Sequence, residues 1–137
     1  MANLVSKLKE NITVSLSTEL LQTILEGARR LYPKEMILFL RGKKTKSTIV
    51  ITELVVPPLA TYGRGFAGIR LHMMPMDFSI VGTVHSHPSG NVMPSSADLN
   101  HFFGNVLMIV GFAFEDESNA AVYNSYGEKL ALQVTKS

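Results

Sequence analysis

The longest apolar run of the chain, Val106 to Phe114, constrains the fold more than any other segment. A membrane-spanning helix needs about 20 apolar residues, and this run is much shorter and is interrupted by Gly111. It therefore predicts a buried central strand. Phe78 to Val84 is also apolar and predicts another strand. Because the chain has 137 residues and contains no linker or repeat, we expect a single domain over 1–137.

The rest of the chain reads as short strands with two helices. Apolar residues at helical spacing follow Ser17 or Thr18, which cap a helix that ends before Pro33. A second helix starts at Ser95 and runs to about Phe103. Patterning predicts further strands at Ile12–Leu16, Glu35–Leu40, Ser47–Val56, Gly68–His72, Ala120–Tyr123 and Lys129–Val134, with a turn at 42–46 and loops at 61–68 and 85–94.

Composition excludes several classes of function. The formal charge of +2 is too small to indicate binding to nucleic acid or to a membrane surface, and Lys43, Lys44 and Lys46 fit a solvated hairpin tip. The chain has no cysteine, which excludes disulfides, thiol nucleophiles and thiolate metal sites. Residues 1–11 contain no apolar signal-peptide core, so we expect a soluble cytoplasmic protein.

Two histidines follow the predicted strand at Phe78–Val84 and are separated by one serine, Ser86. In an extended backbone, residues i and i+2 point to the same side, so His85 and His87 can approach one point. Asp98, in the first turn of the second predicted helix, can supply a carboxylate as the third ligand. Two imidazoles and one carboxylate suit tetrahedral Zn²⁺, with the fourth position left for water.

A catalytic zinc site also needs a proton shuttle, and Glu35 is the best candidate in the sequence. It stands at the start of an apolar strand, where a charged residue has no evident structural reason.

Ser95 has two interpretations. It can cap the second helix, with Asp98 reaching back in a capping box, or it can donate a hydrogen bond to a substrate carbonyl oxygen. Ser95 can serve in both roles at once. His72 and His101 are predicted not to be ligands, since three protein ligands suffice.

These residues together resemble the signature of the JAMM (MPN+) zinc metallopeptidases: a glutamate, then His85-Ser86-His87-Pro88, then Ser95 and Asp98. The chain is most similar to the small stand-alone archaeal and bacterial members. The resemblance implies an α/β fold, a cytidine-deaminase-like sandwich with a mixed, mostly antiparallel sheet flanked by helices. It also implies one Zn²⁺ with bound water on His85, His87 and Asp98, with Glu35 as general acid/base and Ser95 stabilising the tetrahedral intermediate.

The implied activity is cleavage of peptide or isopeptide bonds at the C-terminal glycine of ubiquitin-like small modifier proteins and their conjugates. Two alternatives stay open: a zinc-binding scaffold subunit with little activity, and a peptidase that matures a sulfur-carrier protein. The family often has Cys-Gly soon after the glutamate and an aromatic residue before the first histidine. Here Met36-Ile37-Leu38-Phe39 and Thr83-Val84 occupy those positions. Neither position is a metal ligand, so these differences leave the fit of the substrate open more than the binding of the metal.

The loop at 61–68 and the methionines near Pro75 precede the predicted strand that leads to the histidines. We expect them to border a groove for an extended modifier tail, with Phe66, Met73 and Met74 as contacts, since methionine is common on protein-binding surfaces. Filling of the core is the alternative role for Met73, Met74 and Met76. The sequence leaves both a monomer and a homodimer open.

Overall fold

The computed structural model describes residues 11–57 and 79–136. The strand predicted at Gly68–His72, the loop at 61–68, the methionine segment and His72 lie outside these ranges, and those predictions stay predictions. None of the helices within the two ranges is long and apolar enough to cross a membrane.

The described residues form seven strands, two α-helices and one short 3-10 helix. The strands are β1 (Thr13–Ser17), β2 (Ile37–Lys44), β3 (Thr48–Val55), β4 (Ile80–His87), β5 (Val106–Gly111), β6 (Ala120–Tyr123) and β7 (Lys129–Thr135). The helices are α1 (Thr18–Leu31) and α2 (Ser96–Asn100), and the 3-10 helix is Glu117–Asn119.

The strands make one mixed sheet in the order β1-β3-β2-β4-β5-β6-β7, and β1 also pairs with β7, which closes the ring. Among these pairings four are antiparallel and three are parallel. The predicted α/β class with a mixed sheet is confirmed. The cytidine-deaminase-like sandwich stays a prediction, since the described strands form one closed sheet.

Helix α1 begins and ends where the sequence indicates. The Ser17 hydroxyl accepts a hydrogen bond from the backbone N–H of Leu20, and the helix ends at Leu31 ahead of Pro33. Its apolar stripe packs into the main core with residues from all seven strands; the stripe consists of Leu21, Ile24, Leu25 and Ala28. This core holds one face of the sheet against the helix.

The opposite face of the sheet at β2, β4 and β5 carries two smaller apolar clusters, and the candidate site lies among them. Ile37 and Phe39 of β2 pack there with Phe103, while Leu107 and Ile109 of β5 pack with residues of the segment that includes α2. These contacts hold the short α2 helix over the sheet. The site is therefore built on a strand buried on both faces.

Several predicted boundaries were wrong. Strand β5 ends at Gly111, not at Phe114, and β2 begins at Ile37, not at Glu35. The β2–β3 turn is shorter than 42–46, because β2 continues to Lys44 with a bulge at Arg41/Gly42. Strand β4 continues through His87, whereas the sequence predicted a loop from His85, because pairing with β2 and β5 outweighs the nearby proline and glycine signals. Helix α2 ends at Asn100, not near Phe103.

Candidate metal centre

Strand β4 brings the two histidines together. His85 is opposite Ile37 of β2 and Ile109 of β5, so the strand is held on both sides at this point. His85 and His87 are two residues apart and point to the same face, and their ring centroids are 5.3 Å apart. His85 is 1% exposed, whereas the side chain of His87 is 16% exposed. The pair is thus rigidly placed, with one member facing the solvent-accessible side.

Asp98 reaches the histidines from the first turn of α2. Its Oδ1 is 3.5 Å from His85 Nε2, and its Oδ2 is 3.2 Å from His87 Nε2. Oδ2 also accepts a hydrogen bond of 2.7 Å from the backbone N–H of Ser95. The Ser95 hydroxyl accepts one of 3.1 Å from the backbone N–H of Asp98, so the predicted capping box is present. The cap fixes the carboxylate relative to the helix.

The three side chains fit a zinc ion. One ligand atom from each of His85, His87 and Asp98 lies within 4.8 Å of the other two. Ligand atoms about 2.0–2.1 Å from a tetrahedral ion are roughly 3.3 Å apart, which is close to the two carboxylate–imidazole distances. The Asn91 carbonyl accepts a hydrogen bond of 2.7 Å from His87 Nδ1. This leaves the Nε2 lone pair of neutral His87 for a metal.

The charge states of His85 and Asp98 also suit a metal, whereas His87 has to give up a proton when a metal binds. Burial lowers the pKa of His85 to about 4, so its ring is neutral at physiological pH. The hydrogen bond with Asp98 is the main reason why the pKa of His87 is raised. The pKa of Asp98 is lowered to about 2; burial opposes this shift, and the hydrogen bond with His87 is the largest of the contacts that outweigh it. A neutral imidazole and an ionised carboxylate are the forms that bind metal.

Glu35 lies next to this group without belonging to it. It stands two residues before β2 and is half-buried, and its charge interacts with those of His87 and Asp98. Burial raises the pKa of Glu35, the nearby Asp98 charge adds to that, and His87 opposes it. A carboxylate that has a raised pKa and lies beside a metal site has the placement and basicity of a general base.

His101 lies beyond α2, and its Nδ1 is 2.8 Å from the Ala97 carbonyl oxygen. The group of possible ligands found in the described ranges does not include it.

Two contacts at this site had no counterpart in the sequence analysis. The Ser86 hydroxyl accepts a hydrogen bond from the backbone N–H of Met36, and the Asn91 carbonyl orients His87. A serine between two candidate ligands is the one available signal for the first contact. The second comes from a backbone carbonyl in a loop, which any residue type can provide.

Comparison with known proteins agrees with this geometry. A family described as the prokaryotic homologs of the JAB domain matches residues 17–124. A protein of Haloferax volcanii described as a probable metalloprotease is 30% identical over 128 residues, which is 88% of this chain and 79% of the relative. The chain belongs to the JAMM/MPN+ family, in its prokaryotic JAB group.

Solved structures resemble the fold. A JAB1/MPN domain protein from Archaeoglobus fulgidus is 35% identical with a TM-score of 0.68, covering 89% of this chain and 99% of that one. A structure described as a metalloprotease-like JAMM zinc site in the proteasome and signalosome is 34% identical with a TM-score of 0.64, covering 91% and 98%. A Desulfitobacterium hafniense protein at 17% identity and a TM-score of 0.60, covering 90% and 94%, shares the fold.

Proposed function

We propose that this chain is a zinc-dependent peptidase that cleaves peptide or isopeptide bonds after the C-terminal glycine of ubiquitin-like small modifier proteins. The observation that carries the proposal is the approach of ligand atoms of His85, His87 and Asp98 to within 4.8 Å of one another, with Glu35 near enough for His87 and Asp98 to affect its pKa. Membership of a metalloprotease family supports the hydrolytic reaction. The modifier as substrate rests on the JAMM resemblance, and the cytoplasm is the proposed location.

Each residue has a defined task in this reaction. His85, His87 and Asp98 hold the metal, and Zn²⁺ when bound lowers the pKa of water to about 7 and polarises a carbonyl. Glu35 takes a proton from the attacking water and delivers it to the leaving amine, for which its raised pKa is suited. The Ser95 hydroxyl accepts from the Asp98 backbone, and its own hydrogen is directed to the substrate oxygen as charge develops there.

The test is a cleavage assay on linear modifier fusions and on lysine-linked conjugates, with zinc content measured on the same samples. Wild-type protein should contain about one zinc and lose activity with a chelator. Glu35→Gln should retain zinc and lower kcat by about 10²–10⁴-fold, because the proton acceptor is lost. Glu53→Gln, at an exposed position on β3, is the matched control and should retain full activity.

The outcomes separate the candidate functions. Full activity of Glu35→Gln would remove Glu35 from the reaction. If the wild-type protein binds zinc but cleaves neither fusions nor conjugates, the result would instead support the role of a zinc-binding scaffold subunit. Cleavage restricted to a fusion of a sulfur-carrier protein would favour the maturation reaction.

A further inference from the structure

Ser86 lies between the two histidine ligands and faces away from them. It is 1% exposed, and its hydroxyl accepts a hydrogen bond of 2.8 Å from the backbone N–H of Met36. Its own backbone N–H donates to the Met36 carbonyl at 3.0 Å. Met36 is the residue directly after Glu35. One serine therefore joins the strand that carries two metal ligands to the backbone beside the proposed general base.

The register of β2 against β4 shows what this hydroxyl changes. Ile37 is opposite His85, and continuing the same antiparallel register would place Met36 opposite Ser86 and Glu35 opposite His87. In a regular hydrogen-bonded pair, both residues exchange N–H···O=C bonds. Here one of these bonds is present, and the Met36 N–H goes to the Ser86 hydroxyl instead. The regular ladder ends at Ile37, and the side chain of Ser86 directs the backbone that leads to Glu35.

We propose that Ser86 is a positioning residue that holds Glu35 at its working distance from the metal ligands; this rests on the proposed function. A functional group must be held to within about 0.5 Å by the residues that support it. Glu35 precedes β2 and has no ladder pairing of its own. The ligands lie on the opposite face of β4, so loss of the hydroxyl should move Glu35 and leave the zinc site in place.

Kinetics of Ser86 variants test the proposal. Ser86→Ala should lower kcat by about 10–100-fold, the effect expected of a misplaced catalytic group, with KM and zinc content unchanged. Ser86→Thr retains a hydroxyl and should recover most of the rate. Thr83→Val is the matched control, because it removes another fully buried hydroxyl from β4 that has no hydrogen-bond partner in the described structure. It should leave kcat unchanged.

A double variant shows whether Ser86 acts through Glu35. In the Glu35→Gln background, Ser86→Ala should cause little further loss, because the group that it positions is already inactive. An equal loss in both backgrounds, a loss of zinc from Ser86→Ala, or the same loss from Thr83→Val would overturn the proposal.

Crystal structures of the wild type, Ser86→Ala and Ser86→Thr provide a readout that needs no activity. Glu35 should shift by more than about 0.5 Å in Ser86→Ala alone, while His85, His87 and Asp98 stay in place. An unmoved Glu35 would refute the positioning role even in an active enzyme. If the wild type proves inactive, the proposed function fails, and these structures still decide whether Ser86 positions Glu35.

Discussion

At the scale of single residues, the buried hydroxyl of Thr83 in β4 lowers the free energy of unfolding. Its hydroxyl is fully buried and has no hydrogen-bond partner within the described ranges. Replacement by valine keeps the shape and removes an unsatisfied polar group, so Thr83→Val should raise the free energy of unfolding by about 1 kcal/mol. Denaturant unfolding of the metal-free protein measures this. Thr83→Ser, which keeps the hydroxyl and loses a methyl group, should be less stable than wild type. Equal midpoints for Thr83→Val and wild type would contradict the prediction.

Zinc should displace a proton from His87 but not from His85. In the metal-free protein the pKa of His87 is raised and that of His85 is lowered to about 4. Near pH 6 His87 is therefore protonated and His85 is not. Zinc binding at pH 6 should release about one proton, and zinc affinity should fall as the pH drops through the raised pKa of His87.

Isothermal titration calorimetry in buffers of different ionisation enthalpy counts these protons. The Glu35→Gln variant removes any contribution from the Glu35 carboxyl and serves as the control. Release of two protons at pH 6 would mean that both imidazoles are charged in the metal-free protein, contrary to the burial of His85.

At the scale of elements, local patterns predicted the centres of the strands and helices better than their ends. The Ser17 cap and Pro33 delimit α1, because the physical signals lie within the helix and its neighbours. The end of β4 depends instead on pairing with β2 and β5, which are distant in sequence. The same holds for the candidate site: spacing indicated His85, His87 and Asp98, whereas the bond from Met36 to Ser86 spans 50 residues and left no local pattern.

Helix α2 offers a test that separates the cap from the chemistry at Ser95. Ser95→Ala should destabilise the protein by about 1 kcal/mol, whereas Ser95→Gly, as a tolerated cap, should cost only a few tenths. Both variants lack the hydroxyl, so both should lower kcat by about 10²–10³-fold if it stabilises the developing oxyanion. Ser95→Thr should preserve both the stability and kcat. Activity that instead follows stability across the three variants would assign Ser95 to the cap alone.

At the scale of the whole molecule, closure of the sheet lies beyond what the sequence predicted. Residues of β1 pair in parallel with β3 on one side and β7 on the other, although β1 and β7 are at opposite ends of the described chain. Period-two patterning identifies each strand but is the same for any partner or direction. The closed sheet has no edge strand, and β4 is paired with β2 on one side and β5 on the other, which gives the metal ligands a rigid base.

Because the ligands come from β4 and from α2, a bound metal should join two parts of the fold that without it are connected by the loop, by apolar contacts and by the polar contacts of Asp98 with the histidines. A ligand present at 100 times its dissociation constant stabilises the folded state by about 2.7 kcal/mol, which for a domain of this size raises Tm by roughly 10 °C. Calorimetry with zinc and with chelator measures the shift. His87→Ala should unfold at one temperature under both conditions, because a ligand is missing. A wild-type Tm that is indifferent to zinc would show that His85, His87 and Asp98 do not hold the metal in the folded protein.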